Sequence, residues 1–309
     1  MDQNHFSLAI VGIGGVGGIL AGPLVRKHGG AVSLVARGKR GAHLRAYGLT
    51  LHSDLYGEFT AMPETVAETP AELGVQDFVL LCVKNDVLPS VMEQIRPIVG
   101  PETIVVPVMN GVTAVDVLRE ALPTGKVAGS VIYTVSAAGA DFSITQTGPF
   151  THLFLDDLGG DGKVKRLAEI LLDAGVDCRL TEDIKTAVWT KYVFNCAYNT
   201  MTAAEATDAG HLKAEPLRSD FAAILDEAGA VGRKCGAVLP QNMTEKEMHR
   251  LDKTSDSSES SLSRDFAVAR RGELEVFSGE LIRMAEKVGV DTPVMRRYYE
   301  KLLALAESF

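Results

Sequence analysis

The apolar positions of the first 180 or so residues fall into short runs separated by amphipathic stretches. Leu8–Val11 opens the series, and further runs follow at Ala31–Ala36, Phe78–Val83, Thr103–Val108 and Val127–Tyr133. Between them, Val87–Val99 and Val115–Leu122 repeat apolar residues at helical spacing, and another helical stretch reaches from the glycines after Val11 to about Lys27. Strand and helix in alternation predict a parallel sheet with helices on its faces. Phe78–Val83 and Thr103–Val108 are almost wholly apolar, as strands buried on both faces require. The pattern changes after Asp141. Phe142–Leu155 reads as one or two strands about a Gly148-Pro149 turn, Lys163–Ala174 as a helix and Val176–Leu180 as a closing strand. Beyond Thr181 only helical patterns remain, at about 184–206, 215–234, 244–251, 260–288 and 293–307. Thr181-Glu182-Asp183 offers capping residues and marks a boundary between an α/β domain, residues 1–181, and an all-helical domain, residues 182–309. No repeat and no long Gly/Ser linker interrupts them. Asp256 and Glu259, in the Ser-rich stretch 253–263, suggest a capped start for the helix that follows.

Composition narrows the class. The chain has 309 residues, 46% of them hydrophobic and 23% charged, which excludes a disordered protein. Its 30 glycines have no three-residue period and its 4 cysteines are too few for a disulfide scaffold. Cys82, Cys178, Cys196 and Cys235 show no Cys-x-x-Cys spacing and read as the reduced thiols of a cytoplasmic protein. A formal net charge of −9 offers no basic field for nucleic acid or an anionic membrane, although a local basic pocket could still take a small anion. There is no apolar run of about 18 residues to predict a membrane span. Asp2 and the lack of a basic n-region argue against a signal peptide. The seven histidines are scattered, so no metal is expected, and no Gly-x-Ser-x-Gly supports hydrolysis.

Candidate chemistry begins at Gly12-Ile13-Gly14-Gly15-Val16-Gly17, directly after the first strand and at the start of a helix. In this fingerprint the first glycine permits a tight turn, the second lets a pyrophosphate approach the backbone and the third lets helix pack on strand. The helix N-terminus then presents N–H groups and a positive dipole to phosphate. The context predicts a Rossmann-type, doubly wound dinucleotide-binding domain. The second strand ends in Ala36-Arg37-Gly38-Lys39-Arg40, three cations with no acid. An NAD site usually has a carboxylate there for the ribose 2′-hydroxyl, whereas Arg suits a 2′-phosphate, so the reading is NADP(H). Lys84 and Asn110-Gly111 each follow a predicted strand and thus fall on the same ligand-binding edge.

In the helical domain Lys191, Asn195 and Asn199 recur every fourth residue, drifting only about 80° round the helix, so they share a face. Their neighbours are largely apolar, and buried polar side chains need partners. A polar stripe facing a ligand is therefore expected, and desolvation would bring a Lys pKa down toward the range useful for proton transfer. Ser261, Asp265 and Glu273 lie on the helix after the Ser-rich stretch; pattern alone leaves a functional role and a solvated helix start equally open.

Taken together these residues resemble the ketopantoate reductases (2-dehydropantoate 2-reductases) over nearly the whole chain. The resemblance rests on the Gly12–Gly17 fingerprint, Lys84, Asn110, the run Trp189-Thr-Lys191-Tyr-Val-Phe-Asn195-Cys-Ala-Tyr-Asn199, and Ser260-Ser261-Leu-Ser-Arg-Asp265 with Glu273 beyond. It implies that NADPH delivers hydride to C2 of 2-dehydropantoate, giving (R)-pantoate for pantothenate and coenzyme A synthesis. It implies Lys191 as proton donor, Asn195, Asn199 and Ser261 as substrate contacts, and Asn110 bridging nicotinamide ribose and substrate in an interdomain cleft. Arg37 and Lys84 would hold the adenosine end. Val135 would make a backbone contact to the cofactor, and Glu273 would touch its ribose or orient Lys191. One place departs from the family, where Ala209 stands for a usual Asn. A reductase of another branched 2-oxo acid, or a non-catalytic NADP-sensing protein, are the alternatives. The partner is a small-molecule 2-oxo acid, with no nucleic acid or membrane, and a homodimer left open.

Overall fold

The computed structural model describes residues 5–309. Contacts divide the chain into two compact units, the break falling between Ile184 and Lys185.

The first unit runs β1 (Leu8–Val11), α1 (Gly15–His28), β2 (Val32–Val35), α2 (Gly38–Tyr47), β3 (Leu49–Ser53), β4 (Gly57–Ala61), β5 (Thr65–Ala67), β6 (Gln76–Leu81), α3 (Leu88–Ile95), β7 (Val99–Pro107), α4 (Ala114–Ala121), β8 (Lys126–Val127), β9 (Ser130–Ala138), β10 (Ile144–Asp156), α5 (Gly162–Asp173) and β11 (Asp177–Thr181). Six strands form one wholly parallel sheet in the order β5-β2-β1-β6-β7-β8. Counted along the chain, those strands stand 3-2-1-4-5-6, the Rossmann order, with its switch point between β1 and β6. Both faces are buried, as the apolar runs predict. Leu8, Ile10, Phe78 and Leu80 point into the core with α1 and α5, while Ala9, Val11, Val79 and Leu81 point to α3 and α4.

The sequence pattern did not disclose a second sheet. β11-β10-β3-β4, with β9 added antiparallel to β10, make a mixed five-stranded layer. The run expected over 127–133 is shared between the layers: β8 ends the parallel sheet and β9 starts the second. Helix α1 is gripped between them, touching β1 and β2 on one side and β3, β4, β9 and β10 on the other. Its glycines make that possible. A methyl at Gly17 would collide with the Gly12 carbonyl, one at Gly18 with Ile144, and one at Gly22 would lie 2.6 Å from Leu51.

The second unit is helical: α6 (Ile184–Ala204), α7 (Ala209–Leu212), α8 (Leu217–Lys234), α9 (Met243–Lys253), α10 (Ser261–Phe266), α11 (Glu280–Val288) and α12 (Pro293–Ala306). α6 is buried almost all round through Trp189, Val193, Phe194, Ala197 and Met201. α8 comes close to it because a Cβ on Gly232 would sit 2.8 Å from the Trp189 ring. The first turn of α12 is held by Glu227, whose carboxylate accepts from the N–H groups of Val294 and Met295 at 2.8 and 2.9 Å. The single helix expected over 260–288 is broken. Ala269 and Gly272 adopt positive φ, both 52°, which no α-helix tolerates, and one π-helical turn, Glu275–Gly279, leads into α11.

Because both sheet faces are sealed, Leu80→Ala and Leu81→Ala, on opposite faces of β6, should each cost about 2–5 kcal/mol in denaturant unfolding. Glu120→Ala, on the exposed side of α4, should stay within about 0.5 kcal/mol. A large loss on one face only would mean that the other face is not a packed core.

Candidate active site

The glycine fingerprint sits at the switch point. Gly12 turns the chain out of β1 with φ 93°, and a Cβ there would lie 2.7 Å from both the Cys82 carbonyl oxygen and Val83. At Gly14 the direction of the missing Cβ is open, with nothing within 4 Å, so a ligand can reach this backbone. Ile13 is buried beneath the turn and Val16 packs on the core. The N-terminus of α1 has no side-chain cap and no acid in its first turn, so its N–H groups and dipole suit an anion. Gly15 passes under β9, where a Cβ would lie 2.7 Å from the Ser136 carbonyl oxygen. Val135, the preceding residue, exposes its side chain there, and the Ser136 hydroxyl is enclosed without a hydrogen-bond partner. These features fit a dinucleotide pyrophosphate.

Adjacent strand ends complete that edge. Cys82 N–H donates to the Val11 carbonyl and Val108 N–H to the Leu81 carbonyl, both at 2.8 Å, so the loops after β1, β6 and β7 lie side by side. They carry Gly12, Lys84 and Asn110. Asn85, next to Lys84, donates from Nδ2 to the Asn110 carbonyl at 2.9 Å and ties two of the loops together.

At the end of β2, Arg37 is exposed and precedes the first residue of α2. Arg40 turns away from it. Its guanidinium lies 5.1 Å over the Phe142 ring and donates to the Phe142 carbonyl at 3.4 Å. The sequence shows no acid at this corner, but the fold brings one from just after β5. Glu68 accepts the Gly38 N–H at 3.0 Å, and Arg45, bound to it at 2.5 Å, holds its carboxyl below the usual range.

The second unit gathers the other candidates. Lys191 keeps partial exposure, yet the protein packed round its ammonium lowers its pKa from 10.5 to about 8. The Glu273 carboxylate opposes that shift and the Arg250 guanidinium adds to it. Glu273 is held in place by its own backbone, whose carbonyl accepts from Val276 and Phe277 at 3.0 and 3.1 Å as the π-turn begins. Tyr192 Oη donates to the Val276 carbonyl at 2.6 Å, and Thr200 and Ser278 share a hydrogen bond of 2.8 Å. Helix α6 thus anchors the segment that carries the partner of its own lysine.

Asn199 is buried and already engaged. Its Oδ1 accepts from Ser261 Oγ at 3.1 Å and Leu262 N–H at 3.3 Å, and its Nδ2 donates to the Asn195 carbonyl at 3.1 Å. It therefore places Ser261, which stays exposed at the start of α10, while Asn195 keeps partial exposure on the lysine face. The cap of α10 is Ser260, which accepts from Ser263 N–H at 3.0 Å and from Thr202 at 2.7 Å. Asp256 and Glu259 do not cap it; Asp256 pairs with Lys213 at 2.6 Å. Asp265 lies against Gly272 at the break before Glu273. Ala209 is fully buried, and Asp208 is spent on capping α7 and on His211 at 2.8 Å. Arg250 escaped the sequence reading. It lies 4.0 Å above the Phe194 ring and pairs with buried Glu247 at 3.4 Å, and no local motif marks it.

Among the described residues no helix is long and apolar enough to cross a membrane, and no group of three or more His, Cys, Asp or Glu could hold a metal ion. Two family models match the chain, ketopantoate reductase PanE/ApbA over residues 8–157 and ketopantoate reductase PanE/ApbA C terminal over residues 183–306. A 2-dehydropantoate 2-reductase of Mesorhizobium japonicum is 29% identical over 256 residues, covering 75% of this chain and 78% of that enzyme. The "uncharacterized oxidoreductase YkpB" of Bacillus subtilis is 26% identical over 296 residues, covering 95% and 96%. The solved structure of 2-dehydropantoate 2-reductase from Methylococcus capsulatus has a TM-score of 0.87 at 28% identity and covers 98% of each chain.

A lysine with a pKa of about 8 holds its proton only below that pH, so a reaction that draws a proton from Lys191 should slow as pH rises through about 8. Glu273 favours the charged lysine and Arg250 disfavours it. Glu273→Gln should therefore move the break to lower pH and Arg250→Met to higher pH in kcat–pH profiles. Breaks that fail to move in opposite directions would show that Lys191 does not set the profile.

Proposed function

The chain belongs to the ketopantoate reductase family PanE/ApbA, a family of pyridine-nucleotide-dependent oxidoreductases, and on that premise we propose that it reduces the 2-oxo group of 2-dehydropantoate with NADPH. The observation that carries the reading is the lysine of lowered pKa on one helix face with Asn195, near a Ser261 placed by Asn199 and under the charge of Glu273. When bound, the reduced nicotinamide supplies a hydride to C2 of the oxo acid.

The first unit is the cofactor-binding part. Gly12–Gly17 and the α1 N-terminus receive the pyrophosphate, Arg37 and Lys84 the adenosine end, Asn110 the nicotinamide ribose, and the Val135 backbone makes a further contact to the cofactor. The second unit supplies the substrate contacts. Hydride addition to a ketone builds negative charge on oxygen, which the Lys191 ammonium stabilises and then protonates. Glu273 stabilises the charged form that must hold this proton. Asn195 and Ser261 offer hydrogen bonds to hydroxyl and carboxylate groups, with Asn199 fixing Ser261. The carboxylate of a 2-oxo acid also favours the cationic surroundings of Lys191 and Arg250.

One observation favours a looser substrate choice. Ala209 is buried and offers no side-chain hydrogen bond where family members carry Asn, and the neighbouring Asp208 already accepts from His211 through Oδ1.

A panel of 2-oxo acids followed by loss of NADPH absorbance tests the reading, and inactivity on all of them would overturn it. Lys191→Ala should cut kcat by roughly 10²–10⁴-fold with NADPH affinity retained. Arg37→Ala should weaken NADPH about tenfold or more and leave NADH nearly unchanged, since only the former carries a 2′-phosphate. The kcat/KM preference for 2-dehydropantoate over 2-oxoisovalerate, which lacks the terminal hydroxyl, should fall short of the roughly 10⁴-fold of a site built to bond a hydroxyl.

A further inference from the structure

The corner that sorts adenosine 2′ groups holds both kinds of selector. β5 lies parallel to β2 with Ala67 opposite Val35, so the residue after β5 arrives beside the end of β2. That residue is Glu68. Its Oε2 takes the first N–H of α2, from Gly38, at 3.0 Å, and its Oε1 takes Arg45 Nη2 at 2.5 Å. Arg45 is steadied by a second bond to the Val66 carbonyl at 3.1 Å. The Glu68 backbone is steadied too: its N–H donates to Glu72 at 3.3 Å, and Glu72 also accepts from Thr69 N–H at 2.8 Å. The carboxylate packs against the first turn of α2, 3.3 Å from where a Cβ on Gly41 would stand. A negative charge is stable there because it faces the positive end of the α2 dipole.

A 2′-phosphate bound through Arg37 would seek the same partners. The Gly38 N–H is the backbone donor next to Arg37, and Arg45 is a guanidinium already held in place at that corner. A carboxylate, by contrast, is the group that accepts from a ribose 2′-hydroxyl in NAD sites. We propose that Glu68 is a cofactor-selectivity residue that holds down the preference for NADPH over NADH. It occupies the Gly38 N–H and the Arg45 guanidinium and sets a like charge against the phosphate, while costing NADH nothing. The inference rests on the reading that this unit binds the nucleotide with Arg37 at its 2′ end.

The test is fluorescence titration of NADPH and NADH on the full chain, in the parent and in Glu68→Gln, Glu68→Ser, Glu68→Asp and Arg37→Ala. Loss of the charge in Glu68→Gln and in Glu68→Ser should each tighten NADPH about tenfold and raise the NADPH-to-NADH affinity ratio by at least as much. Glu68→Asp keeps the charge and should keep the parent ratio within about threefold. The Glu68 side chain is only about half-buried, so these variants should still fold, as the thermal midpoint checks, and two uncharged replacements guard against a fault peculiar to one. A ratio unchanged in both uncharged variants, with Arg37→Ala still losing NADPH, overturns the role of Glu68 alone. No loss of NADPH in Arg37→Ala, or no binding of either nucleotide, overturns the reading beneath it and the proposal with it.

Discussion

Everything in the first unit hangs on how closely the backbone of α1 can approach its neighbours. The helix is clasped between two sheets, and at Gly17, Gly18 and Gly22 even one methyl would collide with a carbonyl or a core side chain. Two of these three glycines face the second sheet, which the dinucleotide fingerprint does not require. The approach sets the direction of the helix, and the direction sets where its N-terminus opens. Gly12 presses on the strand end at Cys82, so β1, β6 and β7 deliver their loops to one edge. Close packing and ligand geometry are thus a single constraint.

The second unit solves a different problem, which is how to keep a cation inside protein. Desolvation works against the charged form of Lys191, Arg250 works with it, and Glu273 works against it. The balance leaves a pKa of about 8, between a permanently charged lysine and a neutral amine. That balance needs fixed distances. Tyr192 and Thr200, on the same helix as Lys191, fix them through the carbonyl of Val276 and the hydroxyl of Ser278.

The parallel sheet was legible because strands sealed on both faces must be apolar throughout, as Phe78–Val83 and Thr103–Val108 are. Of the second sheet, β10 and β11 were legible as strands over 142–155 and 176–180, but the layer they join was not. β3 hides its faces by alternation, with Leu49, Leu51 and Ser53 inward and Thr50 and His52 partly exposed, and β5 has only three residues. Missing β5 also hid Glu68, which acts on Gly38 from thirty residues away. The lysine face of α6 could be read from spacing alone, because a helix fixes which residues are neighbours. Whether Asn199 meets a ligand or another side chain could not, since its partners Ser261 and Leu262 come from a distant helix. Arg250 was illegible for the same reason. The break at Ala269–Gly272 escaped because the amphipathic pattern resumes on its far side with little change of composition.

The π-turn at Glu275–Gly279 gives the second unit an adjustable phase. A π-turn is an α-helix with one residue too many, and one residue is about 100° of rotation. The apolar side of α11, with Leu281, Ile282 and Ala285 buried, fixes the phase downstream. The extra residue lets Glu273, upstream, stay beside Lys191 without turning that buried side toward water. Deleting one residue here would regularise the helix and swing the carboxylate about a quarter-turn from Lys191, so the charge balance at this lysine depends on a locally imperfect helix remaining imperfect.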